Sequence, residues 1–258
     1  MRRVAASLLL LIAIVVTAPR FAVSAAAKDP DLTISAAVSL KDALDAVTPL
    51  FEKVQPSIAV HYNLGASGTL QEQIEQGAPV DVYISASPDQ MNALEKQGML
   101  LPGTRRDLLR NTIVLIVPRG STGISDFNDL LKPEVKIVAI GEPRVVPAGR
   151  YAQEVLTHFG LYDSLRPKFV FAKDVRQVLT YVASGNAEAG IVYATDAKTT
   201  GEVTVVATAP QDSHAPVVYP VAILKGTKQA AAAKQFEEFL QTPAAQGVFE
   251  RYGFSSAR

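Results

Sequence analysis

Small and hydroxyl residues cluster at four places where a strand-like apolar run gives way to a helical pattern. A helix start presents N–H groups that lack partners and the positive end of the helix dipole, so it attracts anions without a charged side chain. The four junctions are Ser35–Leu40, Gly65–Leu70, Val146–Arg150 and Lys173–Arg176. Together they make a small anion a candidate ligand.

A simpler explanation exists for the polar residues at these junctions. Ser39, Ser67 and Asp174 stand where a side chain commonly caps the first N–H groups of a helix. Taken singly, each junction favours capping over ligand binding.

Ser67 also raises the possibility of a serine hydrolase. Gly65–Thr69 approaches the G-x-S-x-G nucleophile motif, but Thr69 replaces the last glycine. A triad would need a histidine after an acid, and His214 after Asp212 is the one late candidate. The hydrolase therefore remains a distant alternative.

The elements that would position these junctions alternate between strand and helix. Helical stripes occur in six places: Ser39–Val54, Leu70–Ile74, Met91–Leu94, Tyr151–Phe159, Val175–Val182 and Ala230–Leu240. Short β-rich runs lie between most of them: Leu32–Ala36, Ile58–Asn63, Val80–Ser85, Thr112–Val117, Lys136–Ile140, Lys168–Ala172, Gly190–Ala194, Val203–Thr208 and Val217–Leu224. This alternation predicts an α/β fold with largely parallel sheets.

The order of these runs predicts two lobes better than one large sheet. We expect each lobe to hold a mixed, mainly parallel sheet flanked by helices, with two strands crossing between the lobes. Residues 28–111 and 219–258 would form one lobe and residues 112–218 the other. A ligand would bind in the cleft between them.

The amino terminus has the layout of a secretory signal peptide. Arg2 and Arg3 precede an apolar run over residues 4–16, and small residues follow near Ala25 and Ala27. Cleavage after Ala27 would remove three arginines and lower the basic count from 25 to 22 against 25 acidic residues. The exported protein would be slightly acidic, and this balance argues against a nucleic-acid partner.

Several motifs, in order along nearly the whole predicted mature chain, resemble those of one protein family. They are residues 36–40 (AAVSL), 65–70 (GASGTL), 73–79 (QIEQGAP), 81–86 (DVYISA), 141–149 (GEP to VPAG), 174–176 (DVR), 190–193 (GIVY) and 251–254 (RYGF). The chain resembles the periplasmic molybdate-binding proteins of ABC transporters. This resemblance implies the type II periplasmic-binding-protein-like fold and no catalytic activity.

The resemblance also implies a ligand and five residues that contact it. Molybdate, and with it tungstate, would be the transported ligand, with no cofactor and no side chain that ligates the metal directly. Ser39, Ser67 and Tyr193 would bind through hydroxyls, and Ala148 and Val175 through main-chain N–H groups. This set holds no carboxylate acceptor, which favours a fully deprotonated oxyanion over hydrogen phosphate. Sulfate or another tetrahedral oxyanion stays open as an alternative.

The same resemblance sets expectations for location and partners. The protein would act as a periplasmic monomer and deliver its ligand to the membrane permease of an ABC transporter. The absence of cysteine from the sequence excludes disulfides from its fold.

Overall fold

A computed structural model describes residues 31–257. The signal peptide predicted for residues 1–27 lies outside this range and stays a prediction. Among the described residues, no helix combines the length and the apolar character that crossing a membrane requires.

Eleven strands occur in the described range. In chain order they are β1 (Asp31–Ala37), β2 (Ala59–Gly65), β3 (Val82–Ile84), β4 (Arg106–Arg110), β5 (Ile113–Pro118), β6 (Val138–Gly141), β7 (Phe169–Ala172), β8 (Ala189–Tyr193), β9 (Val203–Thr208), β10 (Val218–Ile223) and β11 (Ser255–Ser256). They form two sheets, one in the order β11-β4-β10-β3-β1-β2 and the other in the order β7-β6-β8-β5-β9.

Nine α-helices pack on these sheets within the same range. They are α1 (Lys41–Val54), α2 (Ser67–Glu75), α3 (Pro88–Lys96), α4 (Pro147–His158), α5 (Tyr162–Leu165), α6 (Val175–Ala183), α7 (Ala194–Ala197), α8 (Ala230–Leu240) and α9 (Pro243–Arg251). Helices α1, α2, α3, α8 and α9 belong with the first sheet and the others with the second. We call these two bodies lobe I and lobe II. The predicted two-lobe α/β fold is confirmed.

Both sheets are mixed, and their antiparallel pairs involve the strands beside the crossings. In lobe I, β1 pairs in parallel with β2 and β3, and in lobe II β6 pairs in parallel with β7 and β8. Strands β4, β5, β9 and β10 pair only in the antiparallel sense. The chain passes between the sheets once from β4 to β5 and once from β9 to β10. A strand that enters or leaves a lobe in this way runs against its neighbours, so parallel pairing is less dominant than the sequence pattern predicts.

Helix α1 illustrates how the sequence pattern becomes packing. Its apolar residues recur at intervals of three and four, and Ala43, Leu44, Val47 and Phe51 are buried against the sheet and the C-terminal helices. Burial of a large apolar side chain contributes about 1.5–3 kcal/mol. Leu50, which belongs to the predicted stripe, is 38% exposed. The buried face fixes α1 so that its amino end lies next to the carboxyl end of β1.

Candidate functional site

All five residues implied by the sequence motifs line one cavity between the lobes. They are Ser39, Ser67, Ala148, Val175 and Tyr193. Each follows or ends a strand of the parallel part of a sheet: β1 and β2 in lobe I, and β6, β7 and β8 in lobe II. The carboxyl ends of parallel strands are the usual place for a ligand in α/β folds. Packing alone therefore brings together residues as far apart in sequence as 39 and 193.

The cavity is small. The space open to the centre of a water molecule is about 10 Å³, roughly what one water needs. A sugar or a peptide does not fit a cavity of this size. A site of this size suits a compact group of a few atoms.

The two serines of lobe I stand within the first turn of their helices. Ser39 lies in a 3-10 turn (Val38–Leu40), and Ser67 is the first residue of α2; neither is a cap. The capping explanation is therefore wrong for both serines. It is right for Asp174, whose side chain accepts a hydrogen bond from the Gln177 N–H at 2.9 Å.

Both serine oxygens already hold one hydrogen bond from the protein side. The Ala86 N–H donates to Ser67 Oγ at 2.9 Å. Ser39 Oγ lies 3.0 Å from the hydroxyl of Tyr219, a buried residue of β10. Ser39 is 3% exposed and Ser67 is 1% exposed, so few alternatives remain for their own protons besides the cavity.

Lobe II contributes main-chain donors at two helix starts. Ala148 is the second residue of α4, after Pro147, and Val175 is the first residue of α6. N–H groups in the first turn have no carbonyl partner within their own helix. No side chain caps α4. Both helix starts point the positive end of their dipoles at the cavity.

Tyr193 is the last residue of β8 and supplies the third hydroxyl. Its ring is buried, and its oxygen has no hydrogen-bond partner among the described residues. Burial, aided by the neighbouring Tyr219 and Tyr151, raises the pKa of this phenol well above its usual value. It therefore stays protonated and can donate. A buried polar atom without a partner costs stability, and such a cost at the wall of a cavity points to a ligand.

No charged side chain lines the cavity within residues 31–257. Arg176, beside Val175, forms ion pairs with Asp196 at 2.6 Å and with Asp42 of lobe I at 2.5 Å. Burial raises the pKa of Asp196 to about 6, and Arg176 opposes that rise. Anion binding here would depend on N–H and O–H dipoles rather than on a bound cation.

Among residues 31–257, no histidine or acidic side chain lines the cavity beside Ser67. His214 lies outside the cavity lining, where its Nδ1 is 2.7 Å from the Ala215 carbonyl and its ring contacts Tyr151. The described residues also contain no group of three or more His, Cys, Asp or Glu side chains placed to hold a metal ion. Since Ser67 Oγ accepts from the Ala86 N–H, its own proton can be donated to a group in the cavity.

Direct contacts between the lobes close the site. The Gly68 N–H donates to the Val145 carbonyl at 2.9 Å. Arg150 of α4 lies 3.2 Å from the Asp89 carboxylate of α3, and Arg176 joins Asp42 across the lobes. A Cβ atom at Gly68 would lie 2.7 Å from the main chain of Val145. This approach of two backbones requires glycine.

The residues that hold the two serine oxygens could not be assigned this role from the sequence. Tyr219 and Ala86 hold the serine oxygens. Ala86 ends the 81–86 motif and lines the cavity, but the motif does not reveal the bond from its N–H to Ser67, and Tyr219 lies in no motif. Tyr219 lies in the apolar run of β10, where a tyrosine looks like any other core residue. Only the polar hydroxyl in a fully buried strand hints at a partner.

Two α/β lobes closed over a small cavity lined by hydroxyl and N–H donors define a solute-binding protein. The family described as bacterial extracellular solute-binding protein matches residues 32–255, and the chain belongs to it. The molybdate-binding protein ModA of Haemophilus influenzae is 39% identical over 242 residues, covering 92% of this chain and 93% of that protein. The resemblance found in the sequence motifs is confirmed.

Solved structures agree with this assignment. A substrate-binding domain assigned to a molybdenum ABC transporter of Clostridium difficile is 44% identical, with a TM-score of 0.70, covering 88% of this chain and 99% of that one. The periplasmic molybdate-binding protein of Azotobacter vinelandii is 29% identical, with a TM-score of 0.80, covering 88% of this chain and 100% of that one. The sulfate-binding protein SubI of Mycobacterium tuberculosis shares the fold alone, at 19% identity and a TM-score of 0.76 over 88% and 87% of the chains. The fold by itself therefore does not choose the anion.

Proposed function

We propose that this protein captures molybdate outside the cytoplasm and delivers it to the membrane permease of an ABC transporter. The observation that carries the proposal is the convergence of Ser39, Ser67, Ala148, Val175 and Tyr193 on one small cavity that is lined by hydroxyl and main-chain groups and by no carboxylate. A hydrogen bond to a charged acceptor contributes roughly 1.5–3 kcal/mol. Several such bonds can hold a buried dianion without a cationic side chain.

The donor set also bears on which anion is bound. Molybdate, tungstate and sulfate are fully deprotonated near neutral pH and need no acceptor from the protein. Hydrogen phosphate keeps one proton, which would face a cavity without a carboxylate. Cavity size would separate molybdate and tungstate from the smaller sulfate, and the similarity to molybdate-binding proteins favours the larger pair.

Capture would couple to transport through closure of the lobes. Each lobe supplies part of the donor set, so the anion is fully bound only when the lobes meet. The contacts at Gly68, Asp42 and Asp89 then add to the stability of the closed form. The permease would recognise this closed form.

The remaining parts of the proposal concern chemistry and location. The protein would act as a monomer in the periplasm after loss of residues 1–27, and it would need neither a cofactor nor a catalytic step. Mass spectrometry of protein recovered from the periplasm of an expressing host would give the cleavage site. A mass that retains residues 1–27 would contradict the predicted signal peptide.

Titration calorimetry tests the ligand assignment. Molybdate and tungstate should bind tightly, while sulfate and phosphate give little heat. Thermal unfolding is a second measurement, with about 4 kcal/mol of stabilisation at a thousandfold excess of ligand over Kd. Sulfate affinity equal to that for molybdate would overturn the choice of anion and favour a sulfate-binding protein.

A further inference from the structure

Tyr219 lies behind the cavity wall and bonds one of the two serines. It is fully buried in β10, and its hydroxyl lies 3.0 Å from Ser39 Oγ and 3.1 Å from Asn111 Nδ2. The same Asn111 nitrogen lies 2.8 Å from Thr195 Oγ1 of lobe II. Asn111 belongs to the segment that crosses from β4 to β5.

The direction of these hydrogen bonds follows from the atoms involved. An amide NH₂ group can only donate, so the Tyr219 oxygen accepts from Asn111. The single proton of the phenol is then available for Ser39 Oγ. Burial raises the pKa of Tyr219 above its usual value, so the phenol keeps this proton. Because Ser39 Oγ accepts from Tyr219, the Ser39 hydroxyl can donate its own hydrogen bond into the cavity.

Ser67 reaches the same state by another route. The Ala86 N–H can only donate, so Ser67 Oγ accepts and its proton is likewise left for the cavity. The two serines of lobe I therefore both face a ligand as donors. For Ser67 a main-chain group enforces this, whereas for Ser39 it depends on a side chain that can be changed.

We propose that Tyr219 is a positioning residue that contributes to anion specificity, because its bond to Ser39 commits that serine to donate and so removes it as an acceptor for anions that carry a proton. This inference rests on the proposed function as an oxyanion-binding protein. Without the Tyr219 hydroxyl, the Ser39 side chain could rotate and offer a lone pair to the ligand. A P–OH group could then donate to Ser39 Oγ.

Sulfate and hydrogen phosphate make this idea measurable, since they are similar in size and differ by one proton. The readout is the ratio of their affinities, measured by competition against molybdate in calorimetry. In Tyr219→Phe we expect the hydrogen phosphate to sulfate ratio to rise at least fivefold over the unmodified protein. A general loss of packing would weaken both anions and leave the ratio unchanged.

Tyr83→Phe is the matched control. Tyr83 is also fully buried in lobe I, and its hydroxyl donates to the main-chain carbonyl of Ser67 at 2.7 Å rather than to a serine hydroxyl. This variant removes a buried phenolic hydrogen bond close to the site without altering the proton of either serine. Its phosphate to sulfate ratio should match that of the unmodified protein.

Asn111→Ala provides a second route if Tyr219→Phe does not fold. Asn111 is only partly buried, and its loss frees the phenol oxygen to accept from Ser39. The ratio should move in the same direction by a smaller factor. Suppose that the unmodified protein binds molybdate tightly. If a folded Tyr219→Phe then leaves the ratio unchanged, the inference is wrong and the proposed function stands. The same holds for an unchanged ratio in Asn111→Ala where Tyr219→Phe does not fold. If the unmodified protein does not bind molybdate, the proposed function itself fails.

Discussion

The two lobes contribute different kinds of hydrogen-bond donor to the site. Lobe I offers two serine hydroxyls, Ser39 and Ser67, whose oxygens are each held by a hydrogen bond from the protein. Lobe II offers the N–H groups of Ala148 and Val175 at helix starts and one phenol, Tyr193, whose oxygen has no hydrogen-bond partner within residues 31–257. One half is oriented before a ligand arrives, and the other is left incomplete until it does.

Because of this difference, some substitutions should lower both the anion affinity and the stability of the empty protein, and others should lower the affinity alone. A serine of lobe I is part of the protein's own hydrogen-bond network, so its removal should damage the empty protein as well as binding. The Tyr193 hydroxyl contributes nothing to the empty protein that the structure reveals, and its removal should affect binding alone. Main-chain donors should tolerate side-chain changes but not loss of the N–H or of the close approach of the lobes.

The largest effect is expected where the two halves touch. Gly68→Ala would place a Cβ atom 2.7 Å from the main chain of Val145, so the lobes could not close fully. Strain from overpacking costs about 1–3 kcal/mol, which corresponds to a loss of molybdate affinity of roughly 100-fold at the upper end. Calorimetry measures the affinity, and thermal unfolding without ligand should change little because opening relieves the clash.

Gly247→Ala is the control for this glycine. Gly247 lies in α9, where a Cβ atom would meet nothing within 4 Å. The molybdate affinity of Gly247→Ala should equal that of the unmodified protein. Equal affinities of Gly68→Ala and the unmodified protein would contradict the closed geometry of the site.

Ser67→Ala should have the next largest effect and should act on both properties. It removes a donor to the anion, which predicts roughly 30-fold weaker binding. It also leaves the buried Ala86 N–H without its acceptor, which costs about 1–3 kcal/mol of the free energy of unfolding. Chemical denaturation without ligand measures the second effect, and an unchanged midpoint would show that the serine oxygen is not held as described.

Tyr193→Phe should separate the two properties. Molybdate affinity should fall by roughly tenfold because one hydrogen bond to the anion is lost. The free energy of unfolding of the empty protein should stay equal or rise, since no hydrogen bond is broken and an unpartnered hydroxyl is removed. If denaturation without ligand instead reveals a large loss of stability, the phenol has a structural partner and the contrast between the lobes fails.

Much of the fold could be predicted because its pattern is local. All nine predicted strands overlap observed ones, since each is a short apolar run bounded by polar residues. Strand β4 was missed because only Leu108 and Leu109 are buried in a segment otherwise made of charged residues. Helix α9 was missed because Ala245, Val248 and Phe249 form too short an apolar stripe.

The features of the site likewise fall into those that a local sequence pattern predicts and those that depend on packing between distant residues. The five residues at its wall lie in short motifs and could be found by resemblance. The bond between Ser39 and Tyr219 joins residues 180 positions apart, and no local pattern records it. The unpartnered state of Tyr193 is a property of the packed lobes and not of the sequence around it.

Val175→Ala should give the smallest effect, within about threefold in affinity, because the contact proposed for Val175 is through its main-chain N–H and alanine keeps it. Val175→Pro is its counterpart. Proline is well tolerated at the first position of a helix, and the preceding residue, Asp174, has the extended backbone that proline favours (φ −159°, ψ 170°). This variant should fold normally yet bind molybdate roughly tenfold more weakly, since the N–H is gone. Calorimetry on the pair isolates one main-chain donor. If alanine weakens binding as much as proline does, the valine side chain itself takes part, and the assignment of Val175 as a main-chain donor no longer holds.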